Sequence, residues 1–317
     1  MQMYKNFRSG INFGGWLSQC DYSRERLDGF IREDDFRIAA SWGADHVRIP
    51  FDYNILENSD GSYCGEGFDR LAAAVEICAK YGLSTVLDLH KTAGFSFDYY
   101  SESESGFFDS EEYQERFYRL WEKLAKRFGN DPDHIAFELL NEVTDKAFIG
   151  KWNEIVRTCI PRIRKFAPET IILVGSYKNN AADTVCELDP PFDSRVVYNM
   201  HCYEPLIFTH QGAYWTNDID PEKRLSFDES GCDEAYFEEL FSTAIKKADE
   251  YGVPLYCGEY GVIDVVEPED ALRWLKCINS VFERHGIGRC IWTYKEMDFG
   301  LTDTRLDDIR GEMMKYI

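Results

Sequence analysis

The 317-residue chain has no uninterrupted apolar stretch near the ~18 residues that a membrane-spanning helix requires. Its mean hydropathy of −0.42 points the same way, to a soluble globular protein. Basic residues are scarce, 35 against 57 acidic ones, which leaves a formal charge of −22. A surface of that sign repels phosphate backbones, so neither nucleic acid nor a membrane is an expected partner. Nucleotide-cradling loops are missing as well. No Gly-x-Gly-x-x-Gly and no Gly-x-x-x-x-Gly-Lys-Ser/Thr follows any strand-like run.

Ten cysteines are present, yet none forms a Cys-x-x-Cys pair or a zinc-type spacing. Cys78, Cys159 and Cys277 fall on helix-like segments, and Cys202, Cys257 and Cys290 in strand-like runs. That placement reads as buried, reduced thiols. No apolar leader precedes Gly10-Ile-Asn-Phe-Gly-Gly-Trp16. Together these suit a cytoplasmic compartment; a leader removed from the chain would instead mean secretion.

What the chain does contain is alternation. Short apolar runs predict strands at Gly10–Trp16, His46–Phe51, Ser84–His90, Ile135–Glu142, Thr170–Gly175, Val196–Tyr203, Pro254–Val262 and Gly288–Tyr294. Amphipathic patterns predict helices at Asp34–Trp42, Phe68–Tyr81, Glu111–Phe128, Ile149–Phe166, Asp233–Tyr251 and Pro268–His285. Gly43, Gly82, Gly252 and Gly286 each follow a helical pattern and precede a strand, the mark of a repeated αβ turn. Eight such strands predict a single-domain (β/α)₈ TIM barrel over residues 1–317, in preference to an open doubly wound sheet. Two long segments follow strands and therefore belong to the C-terminal face: Lys91–Ser110, rich in Phe and Tyr up to Phe108, and a strand-six loop at about 204–232.

Polar residues gather at the strand ends: Arg48, His90, Asn141 with Glu142, His201 with Tyr203, Glu259, and Trp292. A barrel interior is normally filled by branched apolar side chains, so polar groups at this rim read as functional. Singly each has a plainer reading. Arg48 suits a barrel-closing ion pair, His90 a satisfied core histidine, and Tyr203 and Trp292 ordinary core aromatics. Glu142 and Glu259 stand out because a carboxylate beside a buried strand is costly. Two carboxylates facing one another are the minimum for cleaving a glycosidic bond. A metal-dependent hydrolase built on His46, His90 and His201 is the competing chemistry. His46, however, begins its strand and so lies at the opposite end.

The chain resembles glycoside hydrolase family 5, the family of many cellulases, in Gly10–Trp16, Val47-Arg-Ile-Pro50, Leu87-Asp-Leu-His90, Asn141-Glu142, His201-Cys-Tyr203, Gly258-Glu-Tyr-Gly261 and Trp292. The resemblance implies a retaining endo-β-glucanase acting on β-1,4 links in cellulose-like or mixed-linkage glucans, with mannanase or another β-1,4-glycanase as the alternative. A non-catalytic glycan-binding barrel is the outlying reading. The resemblance makes Glu142 the acid/base and Glu259 the nucleophile. Arg48 and Tyr203 would support Glu259, Asn141 would meet the sugar 2-hydroxyl, and His90 and His201 would meet substrate hydroxyls or the acid/base. Trp292 would carry the sugar ring, while Tyr214 and Trp215 would serve outer sugars. Trp16 reads equally as a site residue and as core. No cofactor or metal is expected, and the partner is a β-glucan polysaccharide or oligosaccharide bound by a monomer. The chain departs from the common pattern at Val143, where many members have proline, and at Lys91, where many have a second histidine.

Overall fold

Eight parallel strands close on themselves in the order β1 to β8, with β8 pairing back onto β1. They are β1 (Ser9–Asn12), β2 (His46–Asp52), β3 (Ser84–Lys91), β4 (Ile135–Glu138), β5 (Ile171–Gly175), β6 (Val196–Cys202), β7 (Leu255–Tyr260) and β8 (Gly288–Ile291). The computed structural model describes residues 1–98, 104–216 and 219–317. Tyr99 and Tyr100 of the aromatic segment after β3 lie outside the described residues. No helix among the described residues is long and apolar enough to cross a membrane.

Among the described residues six long helices wrap the barrel: α1 (Glu33–Ser41), α2 (Gly65–Lys80), α3 (Glu111–Phe128), α4 (Ile149–Arg164), α5 (Glu234–Tyr251) and α6 (Pro268–His285). The third shows why these segments are helical. Ser110 caps it by accepting from the Tyr113 amide, acidic residues occupy its first turn and basic ones its last. Phe117, Leu120, Trp121, Leu124 and Phe128 recur at helical spacing and are all buried. At the other end of the repeat, α5 stops at Gly252, whose φ of +63° lets its amide reach back to Ala248. Gly43, Gly82 and Gly286 share a positive φ. Between β5 and β6 a 3₁₀ turn, Ala182–Glu187, takes the place of a long helix. All ten cysteines are unpaired, six of them buried.

Alternation at period two turns every second strand residue into the lumen. At the base this gives Val86, Ala136, Ile171, Leu173, Val197, Tyr256 and Cys290, one apolar cluster. Met3 and Phe7, from the segment before β1, join it and close the barrel from below. One step up each strand, the same alternation delivers Asn12, Arg48, Asp88, Glu138 and Asn199, each wholly buried. The lumen is therefore apolar below and ionic above.

Five strands end earlier than their apolar runs suggest: β1 at Asn12, β4 at Glu138, β6 at Cys202, β7 at Tyr260 and β8 at Ile291. The correction matters most for β4. Beyond it Leu139 still donates to Leu173 (3.2 Å) and Asn141 to Leu89 (3.0 Å), but Glu142 turns to φ +39° and leaves the ladder. Glu142 thus sits four residues past the strand, on a bent segment, rather than at a strand end. Trp121 fixes the start of that segment: its indole N–H donates to Leu139 O (3.0 Å), and its ring packs against Phe137. Trp121→Ala removes both contacts from a fully buried position and costs about 3–5 kcal/mol, to be read as a lower midpoint in urea unfolding.

Candidate active site

Arg48 on β2 stands at the centre of the ionic layer with all five of its N–H donors engaged. Nε and one Nη2 hydrogen form a fork on Glu138 (2.7 and 2.8 Å). The second Nη2 hydrogen meets Asn141 Oδ1 (2.9 Å). Nη1 meets Asn12 Oδ1 (2.9 Å) and Glu259 Oε1 (2.7 Å). Asp88 Oδ2 adds a third carboxylate at 3.0 Å. A buried guanidinium is tolerated only when it is paired and hydrogen-bonded in this way.

Glu259 is held from the opposite side by Tyr203, whose hydroxyl donates to Oε2 (2.9 Å). Burial pushes its pKa up, but His201 and Arg48 outweigh burial and leave it below the ordinary value. His201 shows the reverse balance. Burial pulls its pKa down, while Glu259 and Glu142 raise it above the ordinary value. Its Nδ1 lies 2.8 Å from Glu142 Oε1 and 3.7 Å from Glu259 Oε2. Glu142, His201 and Glu259 each offer a donor atom, all within 4.8 Å of one another. These are the atoms that a metal ion would use, and it would have to displace the His201–Glu142 hydrogen bond to do so.

Glu142 has a second partner. Asn179 donates from Nδ2 to Oε2 (2.9 Å), and it does so from a run, Lys178 to Asn180, in which all three residues have positive φ. Three consecutive left-handed non-glycine residues are a strained arrangement, and strain of that kind gathers at functional sites. His90 is oriented by Asp88, with Nδ1 to Oδ2 at 2.6 Å. Burial lowers His90 to about 4, so its ring is neutral and its Nε2 is left as an acceptor. Burial likewise pushes Asp88 up to about 7.

Aromatic rings line the rim. Trp292 lies parallel to the His90 ring at 6.0 Å, and Phe97 meets His90 edge-on. The Trp292 ring also passes over Gly14, where a Cβ would sit 2.5 Å from it, so only glycine fits there. Tyr203 packs against His210, and His210 against Trp215, which carries the exposed Tyr214 on its far side.

The structure thus brings Arg48, His90, Asn141, Glu142, His201, Tyr203, Glu259 and Trp292 to one mouth, with Trp215 connected through His210. Trp16 is elsewhere. Its indole donates to Leu27 O (2.9 Å), its ring meets Phe36, and it lines an outer cleft of about 340 Å³ with residues of α1 and α2. Of its two readings, its contacts support core. His46 sits low in the barrel, bonded to Tyr256 (2.6 Å). Asn12, Asp88, Glu138, Asn179 and Asn199 were not singled out in the sequence. Stepping two residues back from His90 and His201 finds Asp88 and Asn199; Glu138 was visible as the one charge inside Ile135–Leu140.

The family described as Cellulase (glycosyl hydrolase family 5) matches residues 11–298. The chain belongs to glycosyl hydrolase family 5. This family 5 enzyme is similar to cellodextrinase A of Ruminococcus flavefaciens, 67% identical over 280 residues, covering 88% of this chain and 83% of that one. It is similar to endoglucanase C of Acetivibrio thermocellus, 34% identical over 339 residues and 98% of each chain. A solved hyperthermophilic endo-β-1,4-glucanase in complex with substrate shares the fold at a TM-score of 0.81, with 24% identity over 95% of this chain and 93% of that one.

The Tyr203 hydroxyl favours the charged form of Glu259. Tyr203→Phe therefore raises the Glu259 pKa by roughly half to one pH unit, the equivalent of one net hydrogen bond. A ¹³C-carboxylate NMR titration of wild type and variant reads this directly.

Proposed function

We propose that this glycoside hydrolase cleaves β-1,4-glucosidic links in cellulose-derived chains by double displacement, with retention of anomeric configuration. The observation that carries the reading is the closeness of Glu142 and Glu259, with a carboxylate oxygen of each within 4.8 Å of the other. Retaining glycosidases hold their carboxyl groups about 5–5.5 Å apart, whereas inverting ones leave about 6.5–9.5 Å for a water.

Glu259 serves as nucleophile. It is kept ionised by Arg48, Tyr203 and His201, and its oxygen attacks the anomeric carbon as the glycosidic bond breaks. Glu142 supplies the proton to the leaving oxygen, then takes one from the water that releases the sugar. His201 bridges the pair and passes the influence of one charge to the other. Asn141 has its Oδ1 on Arg48 while its Nδ2 finds no partner among the described residues, which suits a donor to the sugar 2-hydroxyl. Neutral His90 accepts from a sugar hydroxyl, and Trp292 offers an apolar face to the ring. Trp215 and Tyr214 serve outer sugars.

The similarity to a cellodextrinase and to endoglucanases favours soluble β-glucan oligosaccharides and accessible chains as substrates. Reducing-sugar release from cellodextrins, carboxymethyl-cellulose, barley β-glucan, glucomannan and xylan, measured in parallel, tests this. Preference for the first three is expected; preference for glucomannan would move the enzyme to mannans with its mechanism intact. Glu259→Gln nearly abolishes turnover on all of them with the fold unchanged by circular dichroism. Glu142→Gln loses about 10²–10⁴-fold on substrates with poor leaving groups and far less on activated aryl glycosides. Equal losses on both would remove the acid/base role.

The pH dependence has a defined sign. The nucleophile acts only when ionised, so activity rises with pH through the Glu259 pKa. Because that pKa is depressed, the acidic limb of kcat/KM lies below the ordinary carboxyl value of 4.5.

A further inference from the structure

Arg48 shares its charge among several carboxylates, and it does not share it evenly. Glu138 takes two of the five donors in a fork, and Glu259 takes one. Glu138 itself accepts three hydrogen bonds. Oε1 accepts from Arg48 and from Asn199 Nδ2 (2.9 Å), and Oε2 from Arg48. The bidentate fork with the Arg48 guanidinium favours the charged form of Glu138, against the burial that raises its pKa. Asp88 differs. Its Oδ1 has no partner among the described residues, and burial pushes its pKa up to about 7, so it competes little for Arg48 in acid.

The charged and titratable groups facing Glu259 come from most sides of the barrel. Arg48 projects from β2, Asp88 and His90 from β3, and Glu138 from β4, with Glu142 just beyond it. His201 and Tyr203 come from β6 and its end, and the Cys257 thiol from the same strand as Glu259. Within this set Asp88 and Glu138 both touch Arg48 from below the mouth, and Glu138 is the one that takes two of its donors in a fork.

We propose that Glu138 is a positioning residue for the reaction: it aims Arg48 at Glu259 and, by holding the larger share of the guanidinium, keeps the Glu259 carboxylate basic enough to attack. The inference rests on the double-displacement reading above. In the first half-reaction the Glu259 oxygen forms a bond to the anomeric carbon, the glycosidic C–O bond breaks, and Glu142 protonates the departing oxygen. In the second, water attacks the same carbon, its proton passes to Glu142, and Glu259 leaves as carboxylate. Full Arg48 charge on Glu259 slows the first half-reaction and helps the second. Glu138 shifts that balance toward attack.

Glu138→Gln removes the competing charge. The acidic limb of kcat/KM moves down by about one pH unit, since Arg48 then acts on Glu259 undivided. The plateau of kcat/KM falls roughly three-fold as the nucleophile weakens, while kcat limited by deglycosylation does not fall. Asn141→Asp is the complement. It keeps the oxygen that Arg48 uses, loses no bond to the protein at Nδ2, and adds an anion to the same guanidinium, so its acidic limb moves up. Loss of activity with an unmoved limb in Glu138→Gln would reduce Glu138 to scaffold and overturn the proposal. Should that variant fail to fold, an unmoved or lowered limb in Asn141→Asp overturns it instead. Trapping wild type with a 2-deoxy-2-fluoro cellobioside and mapping the label by mass spectrometry separates the two levels. A label on Glu259 with unmoved limbs sinks this inference alone; a label on another residue removes the nucleophile assignment and the inference together.

Discussion

Everything at the mouth of this barrel is organised around one buried cation. A guanidinium removed from water costs several kcal/mol unless each donor finds an acceptor and its charge finds a counter-charge. Arg48 meets that condition through Asn12, Glu138, Asn141 and Glu259, drawn from β1, the β4 region and β7. Such a network does not stabilise a protein more than well-packed hydrocarbon of the same volume would. The apolar cluster immediately below it shows that this barrel can be filled that way. The ionic layer is therefore better explained by what it does for Glu259 than by what it does for the fold.

The two glutamates at the mouth are built differently. Glu259 lies within β7, its backbone in the ladder opposite His201, gripped by one cation and one hydroxyl. Glu142 lies on an irregular segment past β4, in a left-handed conformation, and its carboxylate meets a histidine and an amide that come from β6 and the turn after β5. A group anchored in the sheet beside a permanent cation suits a constant charge. A group on a bent segment, facing partners whose protonation or orientation can adjust, suits one that gains and loses a proton.

Much of this was legible in the chain because the physics is local. Apolar runs mark the strands, glycine marks the αβ turns, and a barrel collects strand ends at one face; knowing those three things places Arg48, His90, His201, Tyr203 and Glu259 together. The ionic layer was less visible because attention to strand ends stops one pleat short: Asp88 and Asn199 lie two residues below His90 and His201. Asn179 had no such signal. Its amide reaches Glu142 only because three successive residues adopt left-handed backbone, which no periodicity announces. Trp16, read from the sequence equally as site and as core, makes core contacts for a related reason. It follows β1 in sequence, but its side chain turns outward to Leu27 and Phe36.

The closed base of the barrel has a consequence for traffic. Met3 and Phe7 stop the lumen from below, and Met3 is tied to Gly286 at the foot of β8 (2.9 Å), so the reacting centre opens at the C-terminal ends of the strands. On the proposed double displacement, the departing fragment and the water that follows it both pass on that side. The plug at the far end of the barrel separates the buried ionic layer from solvent below, so Arg48 and Glu138 stay dry while the mouth is the face that exchanges sugar for water.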